Sequence, residues 1–428
     1  MDLENFNETD MKKEIDNKKK DDSIDPKKMQ SELEELVKSK FGDKVHIVSK
    51  GLDPLEQEEE VEFLDDELEL EFEYTPKDIK TYLDDYVISQ DEAKKTLAIA
   101  ICDHYNHIKR DYETGETPHY FKQNILMLGP TGVGKTYLIK KIAQLVGVPF
   151  VKADATKFTE AGYVGANVED TIRDLITQAD GNVEMAQYGI VYIDEADKLA
   201  GGRKIGGREV SGRGVQNGLL KLLEETEIET RSPFDMLSQL NNAFGQNSNR
   251  AKTINTKNIL FILSGAFSGL EDIIKKRLNV NQIGFAKRKS VENEDNLFSL
   301  ATTQDFIDFG IEPELIGRLP VRVHCNHLTS DNLYHILQDT KESILNQYND
   351  SFMSYGIKLN WEPEALQELA QMAHSEKTGA RSLMTIFERI FRDYKFELPS
   401  TGVKNFTVTK ELVKHPKKEL QRILATKA

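Results

Sequence analysis

Residues 129–136 read Gly129-Pro130-Thr131-Gly132-Val133-Gly134-Lys135-Thr136, a complete G-x-x-x-x-G-K-[ST] phosphate loop. The apolar run Ile125-Leu126-Met127-Leu128 precedes it. Leu138, Ile139, Ile142, Ala143 and Val146 follow at the spacing of one buried helical face. Strand, loop and helix in that order leave few folds open. Glycines let the loop's N–H groups converge on phosphate oxygens at the positive end of the following helix. Lys135 would reach the β- and γ-phosphates, and the Thr136 hydroxyl would hold Mg²⁺. The stretch predicts a nucleoside triphosphate site.

Gly189-Ile190-Val191-Tyr192-Ile193-Asp194-Glu195 supplies a second part. A buried strand there delivers two carboxylates at its end. Asp194 would hold Mg²⁺ through its water shell, and Glu195 would polarise the attacking water. An apolar strand ending in Asp-Glu is common by itself; downstream of a phosphate loop in the same sheet it points to hydrolysis.

Further apolar strands at 149–152, 259–263 and 321–324 are separated by helical patterns, which predicts an α/β fold with a largely parallel sheet covered on both faces. One helix runs through Ile79, Tyr82 and Leu83, and another from Asp91 to about Lys109. From Thr329 onward the pattern is mostly helical, ending in a strand at Phe406-Thr407-Val408 and a last helix. Three regions are expected: 1–74, 75–328 and 329–428. Residues 1–27 read as a disordered tail, followed by a helix over 28–41 and strands at 45–48 and 68–74.

Charge sharpens this division. Of the net −16, most lies in the first 70 residues, where 23 Asp or Glu face 11 Lys. The remainder is close to balanced, which disfavours non-specific nucleic-acid binding by the whole surface. Two cysteines, Cys102 and Cys325, with no C-x-x-C, exclude a cysteine zinc finger and offer no disulfide framework. A reducing compartment fits that usage. No apolar run approaches 18 residues and the N-terminus is acidic and polar, so neither a membrane span nor a signal peptide is expected, and a cytoplasmic location is.

The two nucleotide motifs, with Gly189–Lys198 continuing the second, resemble those of ClpX-like unfoldases of the AAA+ superfamily. The resemblance runs from about Thr75 to about Pro399. It implies an AAA+ large domain with a five-stranded parallel sheet and a mainly helical small lid domain. Such proteins are ring hexamers that use ATP to pull unfolded or tagged substrates through an axial pore into the ClpP peptidase.

Site roles carry over residue by residue. Glu160-Ala161-Gly162-Tyr163-Val164-Gly165 resembles the first pore loop, in which Tyr163 and Val164 would grip the substrate; a surface turn with a partly buried Tyr is the competing reading. Arg208-Glu209-Val210-Ser211-Gly212-Arg213-Gly214-Val215 resembles the second pore loop, against a flexible basic loop or a helix cap. Arg213 stands there in place of an expected acidic residue. Glu314-Leu315-Ile316-Gly317-Arg318-Leu319-Pro320 resembles the arginine-finger segment, so Arg318 would complete a neighbouring subunit's site; a solvated charge is the alternative. Thr378-Gly379-Ala380-Arg381-Ser382-Leu383 resembles sensor 2, through which Arg381 would read the γ-phosphate. Ser264 is a candidate for sensor 1. Val87-Ile88-Ser89-Gln90 resembles the adenine-side segment, with Ser89 where glycine is expected.

Gln282-Ile283-Gly284-Phe285 resembles the loop that docks ClpX on its peptidase, the alternative being a loop tucked onto the body. Two departures fall where substrates are chosen. Acidic residues 1–70 occupy the place of the family's zinc-binding domain, which makes them a candidate adaptor or substrate region. Arg231–Lys252, with Phe234, Leu237, Leu240 and Phe244 at helical spacing, replaces the basic loop at the pore entrance. Three other readings compete. A protease-independent remodelling chaperone is disfavoured by the docking-loop resemblance. An HslU-like unfoldase is disfavoured because no large insertion fits between Asp197 and Arg208. A nucleic-acid motor lacks a binding motif here.

Overall fold

A computed structural model describes residues 72–115, 120–159, 166–200, 203–205, 208–210, 212–230, 253–280 and 294–425. All belong to one compact unit, Leu68–Ala428. The helix and strand expected at 28–41 and 45–48 lie outside the described residues.

The chain enters through Phe72, which is buried and stacks on Tyr105 with ring centroids 5.6 Å from Tyr74 and 5.4 Å from Tyr105. Residues 72–74 are irregular, so the described end of the expected 68–74 strand is not one. Helix α1 (Pro76–Asp84) starts at a capping box: Asp78 N–H donates to the Thr75 hydroxyl and Thr75 N–H to the Asp78 carboxylate. Helix α2 (Asp91–Thr114) outruns the expected Lys109 and stops at Gly115, which takes φ 63°.

Strand β1 (Ile125–Leu128) leads into α3 (Lys135–Val146) and β2 (Phe150–Asp154); α4 (Asp170–Gln178) and α5 (Val183–Gln187) lead to β3 (Ile190–Asp194). A short antiparallel pair, β4 (Arg203–Ile205) and β5 (Arg208–Val210), precedes α6 (Gly212–Leu223). A second pair, β6 (Glu227–Glu229) and β7 (Thr253–Asn255), precedes β8 (Leu260–Gly265). Helices α7 (Leu270–Val280), α8 (Thr303–Phe309) and α9 (Pro313–Gly317) then lead to β9 (Val321–His324).

The five long-range strands form one sheet in the order β2-β3-β8-β1-β9, every pair parallel. All four β1 residues are buried because both faces are covered, which is why the run reads as continuously apolar. Its side chains alternate: Ile125 and Met127 join one core cluster, Leu126 and Leu128 the other. Crossover connections carry the phosphate loop and the Asp194-Glu195 pair to the C-terminal edge of the sheet, where parallel sheets bind ligands.

The remainder is mainly helical: α10 (Ser330–Gln338), α11 (Ile344–Met353), β10 (Lys358–Trp361), α12 (Pro363–Ser375), α13 (Arg381–Glu397), β11 (Asn405–Val408), α14 (Lys410–Lys414) and α15 (Pro416–Ala425). The single expected last helix is divided at Pro416, which lacks the N–H needed to continue a helix. Strand β10 pairs parallel with β11 and escapes sequence patterning, since only Leu359 of its four residues is buried. Phe352, Phe387, Phe391 and Tyr394 fill the centre of this region. No helix among the described residues is long and apolar enough to cross a membrane.

Candidate active site

The phosphate loop turns where β1 ends. Gly129 takes φ 141°, and a Cβ there would sit 2.5 Å from the Cys325 carbonyl oxygen, so only glycine lets the loop pass the end of β9. Lys135 opens α3, and its ammonium donates to the carbonyls of Gly129 at 2.6 Å and Pro130 at 2.8 Å. Burial pulls its pKa below the usual lysine value.

A cavity of about 480 Å³ opens beside this loop. Thr131, Gly132, Val133, Gly134, Lys135 and Thr136 line one side, Asp194 and Glu195 a second, Val87 and Ile88 a third, and Arg381 a fourth. Residues expected from four separate stretches of sequence are thereby brought together, with Gly129 and Pro130 framing the loop. The volume lies within the range of small-molecule sites.

Asp194 ends β3 facing α3. The Thr136 hydroxyl lies 3.4 Å from its carboxylate and donates to the Tyr192 phenol at 3.1 Å. Lys152, on the neighbouring β2, reaches the same carboxylate at 2.9 Å. One hydroxyl and one carboxylate are oxygen donors suited to magnesium, whose remaining ligands are commonly waters and phosphate oxygens. Glu195 follows in the left-handed region at φ 57°, a conformation that costs a non-glycine residue about 1–3 kcal/mol and clusters at functional sites. Its N–H donates to Asp194 at 3.0 Å, and its side chain is left exposed to the cavity.

The helical region closes the site from above. Ala380 N–H donates to the Gly132 carbonyl at 2.8 Å, with Gly379 in the left-handed region so the two backbones can touch. Arg381 is the first residue of α13. At the base side, Glu342 accepts from Tyr137 at 2.7 Å and from the buried Lys141, whose ammonium lies 4.3 Å from the centre of the Tyr86 ring. Ser89 and Gln90 both take left-handed backbone, at φ 62° and 64°. Position 89 takes the left-handed backbone that glycine adopts most easily, and the buried Gln90 carboxamide, bonded both ways to the Asn326 backbone at 2.8 and 2.7 Å, anchors the turn next to the serine that stands there.

Other expected residues lie elsewhere. Arg318 follows α9 outside the cavity, and its guanidinium pairs with Glu224 at 2.6 Å. Arg213 sits in the first turn of α6 and pairs with Glu312 at 2.7 Å, while Arg208 begins β5. Ser264 is buried in β8 with no hydrogen-bond partner among the described residues, and burial pushes the neighbouring Tyr192 phenol's pKa up. Tyr163, Val164, Ile283, Gly284 and Phe285 lie outside the described residues, as does 231–252.

Sequence reasoning passed over several contributors. Asp197 is buried, lines the cavity and accepts from Ala266 N–H at 3.3 Å. Gln90, Tyr192 and Asp197 all stood inside quoted motifs, but their roles depend on partners distant in sequence. Lys152 had only a strand position to mark it.

Comparison with known proteins agrees with this geometry. Residues 121–322 match the AAA domain (Cdc48 subfamily) model and residues 328–404 the model of the C-terminal, D2-small domain of ClpB protein. A Bacteroides fragilis protein named ATP-dependent Clp protease ATP-binding subunit ClpX is 42% identical over 346 residues, covering 79% of this chain and 81% of the relative. Proteins of the same name from Borrelia duttonii and Treponema denticola are 41% and 40% identical, each over 79% of this chain and over 78% and 81% of the relative. With the sheet, the phosphate loop and the acidic strand end all inside the matched residues, and with relatives at about 40% identity over 79% of its length, the chain belongs to the ClpX family of AAA+ ATPases.

Proposed function

We propose that this ATPase is a protein unfoldase and translocase that assembles as a hexameric ring and threads substrates into a ClpP-like peptidase. The observation that carries the reading is the division of the catalytic set. Lys135, Thr136, Asp194, Glu195 and Arg381 converge on one cavity, whereas Arg318 lies outside it, as a group serving a neighbouring subunit would. The relatives' name, ATP-binding subunit of an ATP-dependent Clp protease, supports the peptidase partner.

In this mechanism Lys135 and the loop N–H groups hold the triphosphate, and Val87 and Ile88 pack on the adenine. Thr136 and Asp194 would hold magnesium, which neutralises charge on the β- and γ-phosphates when bound. Glu195 accepts the proton of the attacking water, and its strained backbone fixes the carboxylate toward the cavity. Arg381 senses the γ-phosphate from the helical region, whose Ala380–Gly132 bond lets that region follow the nucleotide. Tyr163 and Val164, with Arg208 and Arg213, would grip the substrate, and Ile283, Gly284 and Phe285 would dock the peptidase.

A pull-down with Glu195→Gln, which binds ATP without turnover, tests the whole reading. Retention of substrate proteins together with a ClpP-like peptidase is expected. Substrates without a peptidase, with Phe285→Ala unchanged in every assay, would favour a protease-independent remodeller.

A further inference from the structure

The arginine-finger segment is tied to its own subunit by one buried side chain that none of the motifs explains. Gln216 lies in the second turn of α6 and is 2% exposed. Its Nε2 donates to the Leu199 carbonyl at 3.0 Å and to the Gly310 carbonyl at 3.2 Å, and its Oε1 accepts the Glu312 N–H at 2.8 Å. Two carbonyls can be met only by the amide nitrogen and an N–H only by the oxygen, so the partners fix the carboxamide's orientation.

Those partners belong to two functional segments. Leu199 lies in the 3-10 turn Ala196–Ala200 that directly follows Asp194 and Glu195. Gly310 and Glu312 lead into α9, which Arg318 directly follows. The two segments are in close contact, since a Cβ at Gly310 would lie 2.7 Å from the Ala200 carbonyl oxygen. Helix α6 is joined to the finger segment at both ends as well, through Arg213–Glu312 at 2.7 Å and Glu224–Arg318 at 2.6 Å. Those outer pairs are solvent-exposed and contribute little by themselves. The buried carboxamide, with all three hydrogen bonds made, is the rigid point, and leaving its partners unpaired would cost more than the bonds contribute.

We propose that Gln216 is a positioning residue for the arginine finger: it locks the backbone that carries Arg318 to the turn behind Glu195. The position from which Arg318 serves its neighbour is thereby set by the chain's own hydrolytic strand end. This inference rests on reading Arg318 as the finger.

The test uses the assembled full-length protein and a double-mutant cycle between Gln216→Leu and Arg318→Ala. Gln216→Leu alone is expected to lower kcat about tenfold while the affinity for a fluorescent ATP analogue stays within about twofold. In the Arg318→Ala background it should lower kcat no further. The isosteric Gln216→Glu keeps the acceptor but sets a carboxylate against two carbonyls, so its kcat relative to wild type should rise as pH falls and the carboxyl regains a proton to donate. Full kcat in Gln216→Leu, or losses that simply add in the double variant, would overturn the proposal. Failure of the underlying reading is separately visible, because Arg318→Ala itself would then hydrolyse ATP at the wild-type rate.

Discussion

At the phosphate loop, Lys135, Thr136, Asp194 and Glu195 all reach one cavity, while at the finger segment Arg318 ends on Glu224 outside it. The two stretches sit at opposite edges of the sheet: the loop leaves the C-terminal end of β1, whereas Arg318 comes just before the N-terminal end of the parallel β9, where its carbonyl accepts from the Asn124 side chain at 3.2 Å. The first brings its phosphate-binding and acidic residues together within a single chain. The second carries a strong cation held half-exposed by one carboxylate, a contact that an exposed pair can release at small cost. A phosphate cradle assembled in cis and a cation presented outward are what the proposed ring with shared active sites requires.

The largest effect expected is at the cradle. Lys135→Ala should weaken ATP binding by about 10²-fold or more, since a charged hydrogen bond to phosphate is worth about 3 kcal/mol, and hydrolysis should vanish with it. Nucleotide affinity near wild type by equilibrium titration would break the cis half of the comparison. Arg318→Ala should leave affinity within about twofold yet cut kcat by about 10³-fold. Mixing variant and wild-type subunits sharpens the contrast: loss should appear in the neighbour's site, and activity strictly proportional to the wild-type fraction would contradict a trans role.

Glu195→Gln is expected to bind ATP normally and lose about 10²-fold in kcat, the usual share of general-base catalysis. Single-turnover hydrolysis at the wild-type rate would remove Glu195 from the mechanism. The smallest effect belongs to the base side. Ser89→Gly relieves left-handed strain but loosens the unfolded chain, so stability should rise by about 0.5 kcal/mol and Tm by about 1 °C. A fall of several degrees in a thermal melt would mean that the serine side chain itself holds the turn.

Much of the ATP site could be read from local order. A phosphate loop needs its glycines and lysine at fixed spacing, because the phosphate contacts are made by consecutive backbone groups, and so Gly129–Thr136 announces itself. The central strands β1, β3 and β8 are buried and largely apolar, and the edge strands β2 and β9 keep a shorter apolar signal, so all five appear within one or two residues of their expected places. Strand β10 and the break at Pro416 were less visible, the one for want of buried positions and the other because one helical face continues across the proline.

What the tertiary structure alone decided is how distant groups meet. The turn at position 89 is anchored because Gln90 bonds Asn326, and Asp194 is flanked by Lys152 because β2 and β3 pair in register. Gln216 joins Leu199 to Gly310, and Ala380 reaches Gly132, through hydrogen bonds between groups far apart in the chain. A side chain's type states which bonds it can make. Only the packing of the strands and helices around it determines which partners are close enough to receive them.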